Sequence, residues 1–168
     1  RLGMPDGGVA AAGSPQRVNY DATSAAFGPG ANAPLVVTVR HTDASSFDTA
    51  ALLSRQAELA SIEGVSTVRF MGANEARTLA IYQVTPQAGP TDRATGALVH
   101  RWRGTTLTGV APLGVTGLTA INIDLSEVLA AAIPVYLGVV VVLSLIILLI
   151  VFRSLLIPLV ATGGFLLS

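Results

Sequence analysis

Asp124, Glu127 and Arg153 bracket the least charged part of this 168-residue sequence, with twenty-five uncharged residues between Glu127 and Arg153. Acids at a helix start are favoured by the helix dipole, which makes Asp124 and Glu127 a solvated opening turn. The same acids stand where motion of the preceding chain would pass into the apolar segment, and both readings stay open. Arg153 raises a sharper question, because a charge at the centre of a membrane helix costs roughly 2.5–3.5 kcal/mol. At the end of such a helix its guanidinium can snorkel to the interface. Asp124, Glu127 and Arg153 are therefore the candidates for domain-to-membrane coupling.

Other reactive side chains form no pattern. His41 and His100 are the two histidines, far apart and without metal-ligand spacing, so both are read as surface or packing residues. His41-Thr42-Asp43, with serines nearby, contains the parts of a hydrolytic triad, but no G-x-S-x-G elbow accompanies it. "GPG" (28–30) and "PDGG" (5–8) lack the lysine and the strand-turn-helix context of a nucleotide loop, and are turns. With no cysteine there is neither disulfide nor thiolate metal site. The expectation is no enzyme: no catalytic, cofactor-binding or metal residues. Inside the uncharged stretch only Tyr136 and Ser144 are polar, so no acid stands there to relay a proton.

The composition is 51% apolar and 12% charged, against about 25% charged for an ordinary soluble domain. That excess is local. Residues 1–127 carry nine of the ten arginines and all ten acids, a net charge of −1, with no basic face to suggest nucleic acid. Lysine is absent, which is read as the codon bias of a GC-rich genome. The chain opens "RLGMPDGG" and closes "GGFLLS" inside a second apolar run, as a window on a longer protein would.

The elements that would position these residues are legible from pattern. "PLVVTVRH" (34–41) alternates as a strand. "SSFDTAALLSRQAELASIEG" is a helix opened by a Ser45-x-x-Asp48 capping box and closed by Gly64, with Ala50, Leu53, Ala57 and Ala60 as its apolar stripe. "VSTVRFMG" and "RTLAIYQVTP" are two strands around a short loop. "TDRATGALVHRWRG" is a helix capped by Thr91, with Ala94, Leu98 and Trp102 on one face. "LTGVAPLGVTG" is a last strand in which Pro112 implies an edge or bulge. The order β-α-β-β-α-β predicts an α+β fold with a split βαβ, ferredoxin-like sandwich.

Val128 to Phe152 supplies twenty-five residues, where about twenty span the ~30 Å of hydrocarbon. Pro158 suits the opening turn of a following helix, so "FRSLLIP" reads as a tight turn between two transmembrane helices, cytoplasmic by the positive-inside rule. The expected divisions are a connector with a short helix (1–33), an extracytoplasmic domain (34–117), a helical connector (118–133), a transmembrane helix (134–152, its apolar run starting at 128), and a cytoplasmic turn with part of a second transmembrane helix (153–168). A multi-pass plasma-membrane parent follows, with residues 1–127 outside the cytoplasm.

"RLGMPDGG", "SPQRVNYDATSAAFGPGANAPLVV", "TDRATGALVHRWR" and "TGLTAINIDLSEVL…FRSLLIPLVATGGFLLS" resemble successive landmarks of the MMPL transporters, members of the resistance-nodulation-division (RND) superfamily typical of actinobacteria. The resemblance runs along nearly the whole chain and is closest to the second of the family's two repeats. It implies the second porter domain with helix 8 and part of helix 9 of a proton-driven exporter of lipids or other hydrophobic compounds. The implied partners are the bilayer, a hydrophobic substrate, and the rest of the parent including its first porter domain. The family's proton-relay residues sit on helices four and ten, outside this chain. Ala33 departs from the glycine common after "FGPGAN". An extracytoplasmic domain of an ATP-binding-cassette exporter, or of a membrane receptor, stays as the alternative.

Overall fold

Strand β1 (Leu35–Arg40) buries Leu35, Val37 and Val39 completely and turns Val36, Thr38 and Arg40 to the other face, the period-two consequence of a pleated backbone. The computed structural model describes residues 6–43, 45–105, 107–152 and 163–165. β3 (Leu79–Pro86) repeats the alternation, with Ala80, Tyr82 and Val84 inward. It pairs antiparallel with β1 from Leu35↔Val84 to Arg40↔Leu79. β2 (Val65–Ala73) pairs antiparallel with β3, with irregularities at Val65/Thr67 and Phe70/Gly72, and β4 (Gly114–Thr116) pairs antiparallel with β1. The strand order is β2-β3-β1-β4. β1 and β2 therefore run the same way with β3 between them.

Helix α2 (Thr49–Ala60) joins β1 to β2, and α3 (Arg93–Arg103) joins β3 to β4. Leu59 of α2 and Leu98, Val99 and Trp102 of α3 share one core with the inward residues of the sheet, so both helices cover the same face. The result is a mixed α+β unit on a four-stranded antiparallel sheet. Buried polar groups inside it are mostly matched. Thr95 donates to the carbonyls of Ala88 and Gly89 at 3.2 and 2.7 Å. The Tyr82 hydroxyl donates to Leu52 O at 3.0 Å, and burial raises its pKa.

Several local features differ from the sequence reading. α2 is capped by Asp48, which accepts from Ala51 N at 2.6 Å, and not by Ser45. The segment before it stays extended because Phe47 must enter the core, where it lies 1% exposed with its ring 4.0 Å from that of His41. The buried face of α2 is rotated from the predicted one: Leu53 is 63% exposed while Leu59 is fully buried. Burying the bulkier Leu52 and Leu59 removes more apolar area from water than burying the alanines. α3 is capped by Asp92 rather than Thr91, and Thr95 replaces Ala94 on its inner face. The last strand shrinks to three residues plus an isolated bridge, His41↔Val110; Pro112, which cannot donate to a ladder, lies between.

Before the sheet, helix α1 (Pro15–Phe27) starts with the Ser14 cap, ends at Gly28 with φ +85°, and passes into a 3₁₀ turn, Pro29–Asn32. After it, α4 (Leu118–Phe152) runs 35 residues with Pro134 inside it. The α+β unit extends to Leu125, and the helix from Ser126 belongs to a second unit. From Leu118 to Val151 α4 has the length and composition to cross a membrane, with mean hydropathy 3.0 over an 18-residue window.

Candidate coupling site at the root of the apolar helix

The last turn of α3 carries His100, Arg101 and Arg103, cations where the helix dipole favours them. Arg103 reaches two neighbouring elements at once. Its Nη1 donates to Asp124 Oδ1 at 2.5 Å, and its Nη2 donates to Asp124 Oδ2 at 2.9 Å and to Val115 O at 3.0 Å. One planar guanidinium thus joins the end of α3, the edge strand β4 and the second turn of α4. The fork geometry matches a carboxylate as a lysine could not. With the two side chains 34% and 43% exposed, the pair contributes on the order of 1 kcal/mol or less to stability. Its value lies in orientation: it fixes how the first turns of α4 leave the sheet domain. Below it, Thr119 and Ala120 of α4 are buried, so the root of the helix is also held by packing.

Of the three residues singled out from sequence, Asp124 is in this clamp. Glu127 stands one turn further along α4, exposed, in the second unit. Arg153 lies outside the described residues. Arg103 itself was not singled out. Asp124 is twenty-one positions away from it, and no local pattern reports a contact over that distance.

A second joint holds the connector. Asn32 Nδ2 donates to Tyr20 O at 3.2 Å and to Ser24 Oγ at 2.8 Å, stapling the 3₁₀ turn onto α1. Gly30 is buried against β3, and a Cβ there would lie 1.6 Å from Pro86 O. Ala33 has φ −123° and a fully buried methyl, so this backbone has no need of glycine at that position. Near the chain start, Arg17 pairs with Asp21 at 2.8 Å and donates to Gly8 O.

Catalytic arrangements are not formed by the residues considered for them. His41 Nδ1 faces Gly109 O at 3.2 Å, and Asp43 accepts from Ser45 N at 3.0 Å; hydrogen bonding by Ser45, first through its hydroxyl and then through this N–H, holds the Asp43 carboxyl below the usual range. Each is engaged locally. Among the described residues no group of three His, Cys, Asp or Glu side chains converges as a metal site would. On α4, Pro134, Gly138, Val142 and Ile146 recur at four-residue spacing and line a shallow apolar groove around the missing Gly138 side chain.

No family model matches the chain. It is similar to the membrane protein YdfJ of Bacillus subtilis (strain 168), with 39% identity over 167 residues, an alignment that takes in 99% of this chain and 23% of the relative. The chain thus spans about a quarter of that relative's length. Together with the span-length apolar helix, the likeness makes this a membrane-associated protein.

Proposed function

We propose that the chain is the second porter domain and following transmembrane segment of an MMPL-type, RND-superfamily exporter, a non-enzymatic part of the path by which a proton-driven transporter moves lipids or other hydrophobic compounds outward. One observation carries this reading. A single helix, α4, both receives the Arg103 clamp from the sheet domain in its second turn and continues in sequence as a span-length apolar segment. The strand order β2-β3-β1-β4 with two covering helices supports the split βαβ sandwich expected of a porter domain. Similarity to under a quarter of a longer membrane protein supports a repeat unit inside a multi-pass parent. In this proposal residues 1–127 lie outside the cytoplasm, and the sheet domain is conduit, not motor. Helix α4 from Val128 to Phe152 carries no Asp, Glu, Lys, Arg or His that could take up a proton within the bilayer.

The test is reconstitution of the full parent transporter into proteoliposomes with an imposed proton gradient and a fluorescent lipid as cargo. Export that collapses with the gradient and ignores ATP supports the proposal. ATP-dependent export in the absence of a gradient rejects it in favour of an ATP-binding-cassette exporter.

A further inference from the structure

Helices α2 and α3 pack on the same face of the sheet. The pleat turns Val36, Thr38 and Arg40 of β1, Leu79, Ile81 and Gln83 of β3, and Arg69 of β2 to the opposite one. There Arg40 and Arg69 are exposed, and Val36, Leu79 and Ile81 are half-buried. No acid occupies a position on the paired rows of this face. Among the described residues neither arginine forms an ion pair or side-chain hydrogen bond.

The register sets the two charges on a diagonal. Arg69 lies opposite Gln83, Ile81 is two residues away along β3, Thr38 lies opposite Ile81, and Arg40 is two residues further along β1. With strands about 4.8 Å apart and about 3.3 Å per residue, the two Cα atoms stand roughly 16 Å from each other, with Ile81 at the midpoint. A lone anion can meet one guanidinium but not both. The face asks for two anionic groups at a fixed spacing with an apolar group between them. An α-helix supplies that pattern. Acids eleven residues apart are about three turns and 16.5 Å from each other on one side of a helix, and apolar residues at the fourth and seventh positions after the first acid fall between them.

We infer that this face is a docking site for an acidic amphipathic helix of a separate extracytoplasmic protein, two of its carboxylates paired with Arg40 and Arg69 and its apolar side chains seated on Ile81. Charge complementarity selects the partner, since each guanidinium fork suits a carboxylate. It also rules out a second copy of this chain on the same face, which would set arginines against arginines with no acid to separate them. The mixed character of the face selects a reversible partner over a permanent neighbour within the parent chain. Permanent interfaces resemble a domain core cut in half, whereas reversible ones keep polar groups and are enriched in arginine. Here three apolar residues stand among threonines, a glutamine and two arginines. One helix covers less than the roughly 800 Å² per partner of a standard interface, so the contact is weak and depends on salt. The inference requires neither a direction of transport nor a cargo.

The test uses the 168-residue chain in phosphatidylcholine nanodiscs and a fluorescent, alanine-rich helical peptide. The peptide carries glutamates eleven residues apart and photoreactive leucines at the two intervening positions on the same side. Saturable binding by fluorescence anisotropy, with cross-links mapped to residues 36–40 and 79–83, is the expected result. A peptide with glutamine in place of both glutamates, or with the glutamates five residues apart and so on different sides of the helix, should bind about tenfold more weakly. Raising the ionic strength from about 0.05 to about 0.5 M should weaken the contact severalfold. R40E/R69E, with the circular dichroism and Tm of the unaltered chain, should lose about tenfold in affinity and regain it toward a peptide with lysine in place of both glutamates. No saturable binding, equal affinity for either control peptide, unchanged binding in R40E/R69E, or no recovery with the lysine peptide would each overturn the inference. In the intact parent transporter, benzoylphenylalanine placed at Gln83 should cross-link to the added glutamate peptide. A cross-link to another segment of the parent in its place means that the face is already occupied and rejects a separate partner. None of these outcomes alters the expectation for gradient-driven export, which stands or falls on the proteoliposome assay.

Discussion

Arg103 and Asp124, twenty-one residues apart in sequence, meet through two parallel bonds of 2.5 and 2.9 Å and tie the end of α3 to the second turn of α4. If this pair orients more than it stabilises, Arg103→Ala should lower unfolding free energy by only about 0.2–1 kcal/mol. In the full transporter it should reduce export far more than that loss predicts, at unchanged protein level. The charge-swapped double variant R103D/D124R should recover part of the export. Denaturant titration beside transport assays checks both halves, and a swap no better than either single change would refute a direct pairing.

Gly30 and Gly96 should respond in opposite directions to the same methyl group. At Gly30 a Cβ would collide with Pro86 O at 1.6 Å, so Gly30→Ala must displace the connector, a cost of about 1–3 kcal/mol or more. At Gly96, inside α3, nothing lies within 4 Å, and Gly96→Ala should stabilise by about 0.5–1 kcal/mol through the unfolded-chain entropy that alanine lacks. Limited proteolysis near Gly28 should accelerate only in the first variant.

Tyr82→Phe removes the bond to Leu52 O and should cost about 0.5–1.5 kcal/mol. The pKa of this buried phenol is raised, so the folded state favours its neutral form. Its contribution is then fully present below the ordinary tyrosine value of about 10 and is lost as pH climbs through the raised folded value. Stability measured between neutral and strongly alkaline pH should fall less steeply in Tyr82→Phe than in the parent chain.

Because the chain has no cysteine, single cysteines report topology cleanly. In intact cells stripped of outer barriers, a membrane-impermeant thiol reagent should modify Ser46→Cys and spare Arg153→Cys. The opposite pattern would invert the proposed orientation.

Tyr136 is the one side chain with an ionisable proton between Val128 and Phe152, and the segment holds none of the acids, histidines or basic residues from which intramembrane proton relays are built. Tyr136→Phe should leave gradient-driven export and proton uptake within about twofold of the parent, a change under 0.5 kcal/mol. Loss of proton-coupled export in that variant alone, with normal protein level, would place part of the motor in this segment.

Much of the architecture is local chemistry and so was open to reading in the sequence. The alternation of Leu35–Arg40 and Leu79–Pro86, the glycine stops after α1 and α3, and the uncharged run after Glu127 each follow from forces acting within a few residues. Asp124 was visible as an acid at the root of a greasy helix. What it does there was not, because its partner Arg103 arrives through the packing of α3 beside β4. The same holds for the rotated face of α2, where the sheet selects Leu59 over Leu53, and for the connector, where Pro86 dictates a glycine at position 30. Arg40 and Arg69 sit in different strands, and only the register through β3 brings them to opposite sides of Ile81. Periodicity, capping and hydropathy are short-range and speak through neighbours in the chain. Which face meets which, and which charges end up together, depends on contacts between distant segments, and these the tertiary structure alone decides.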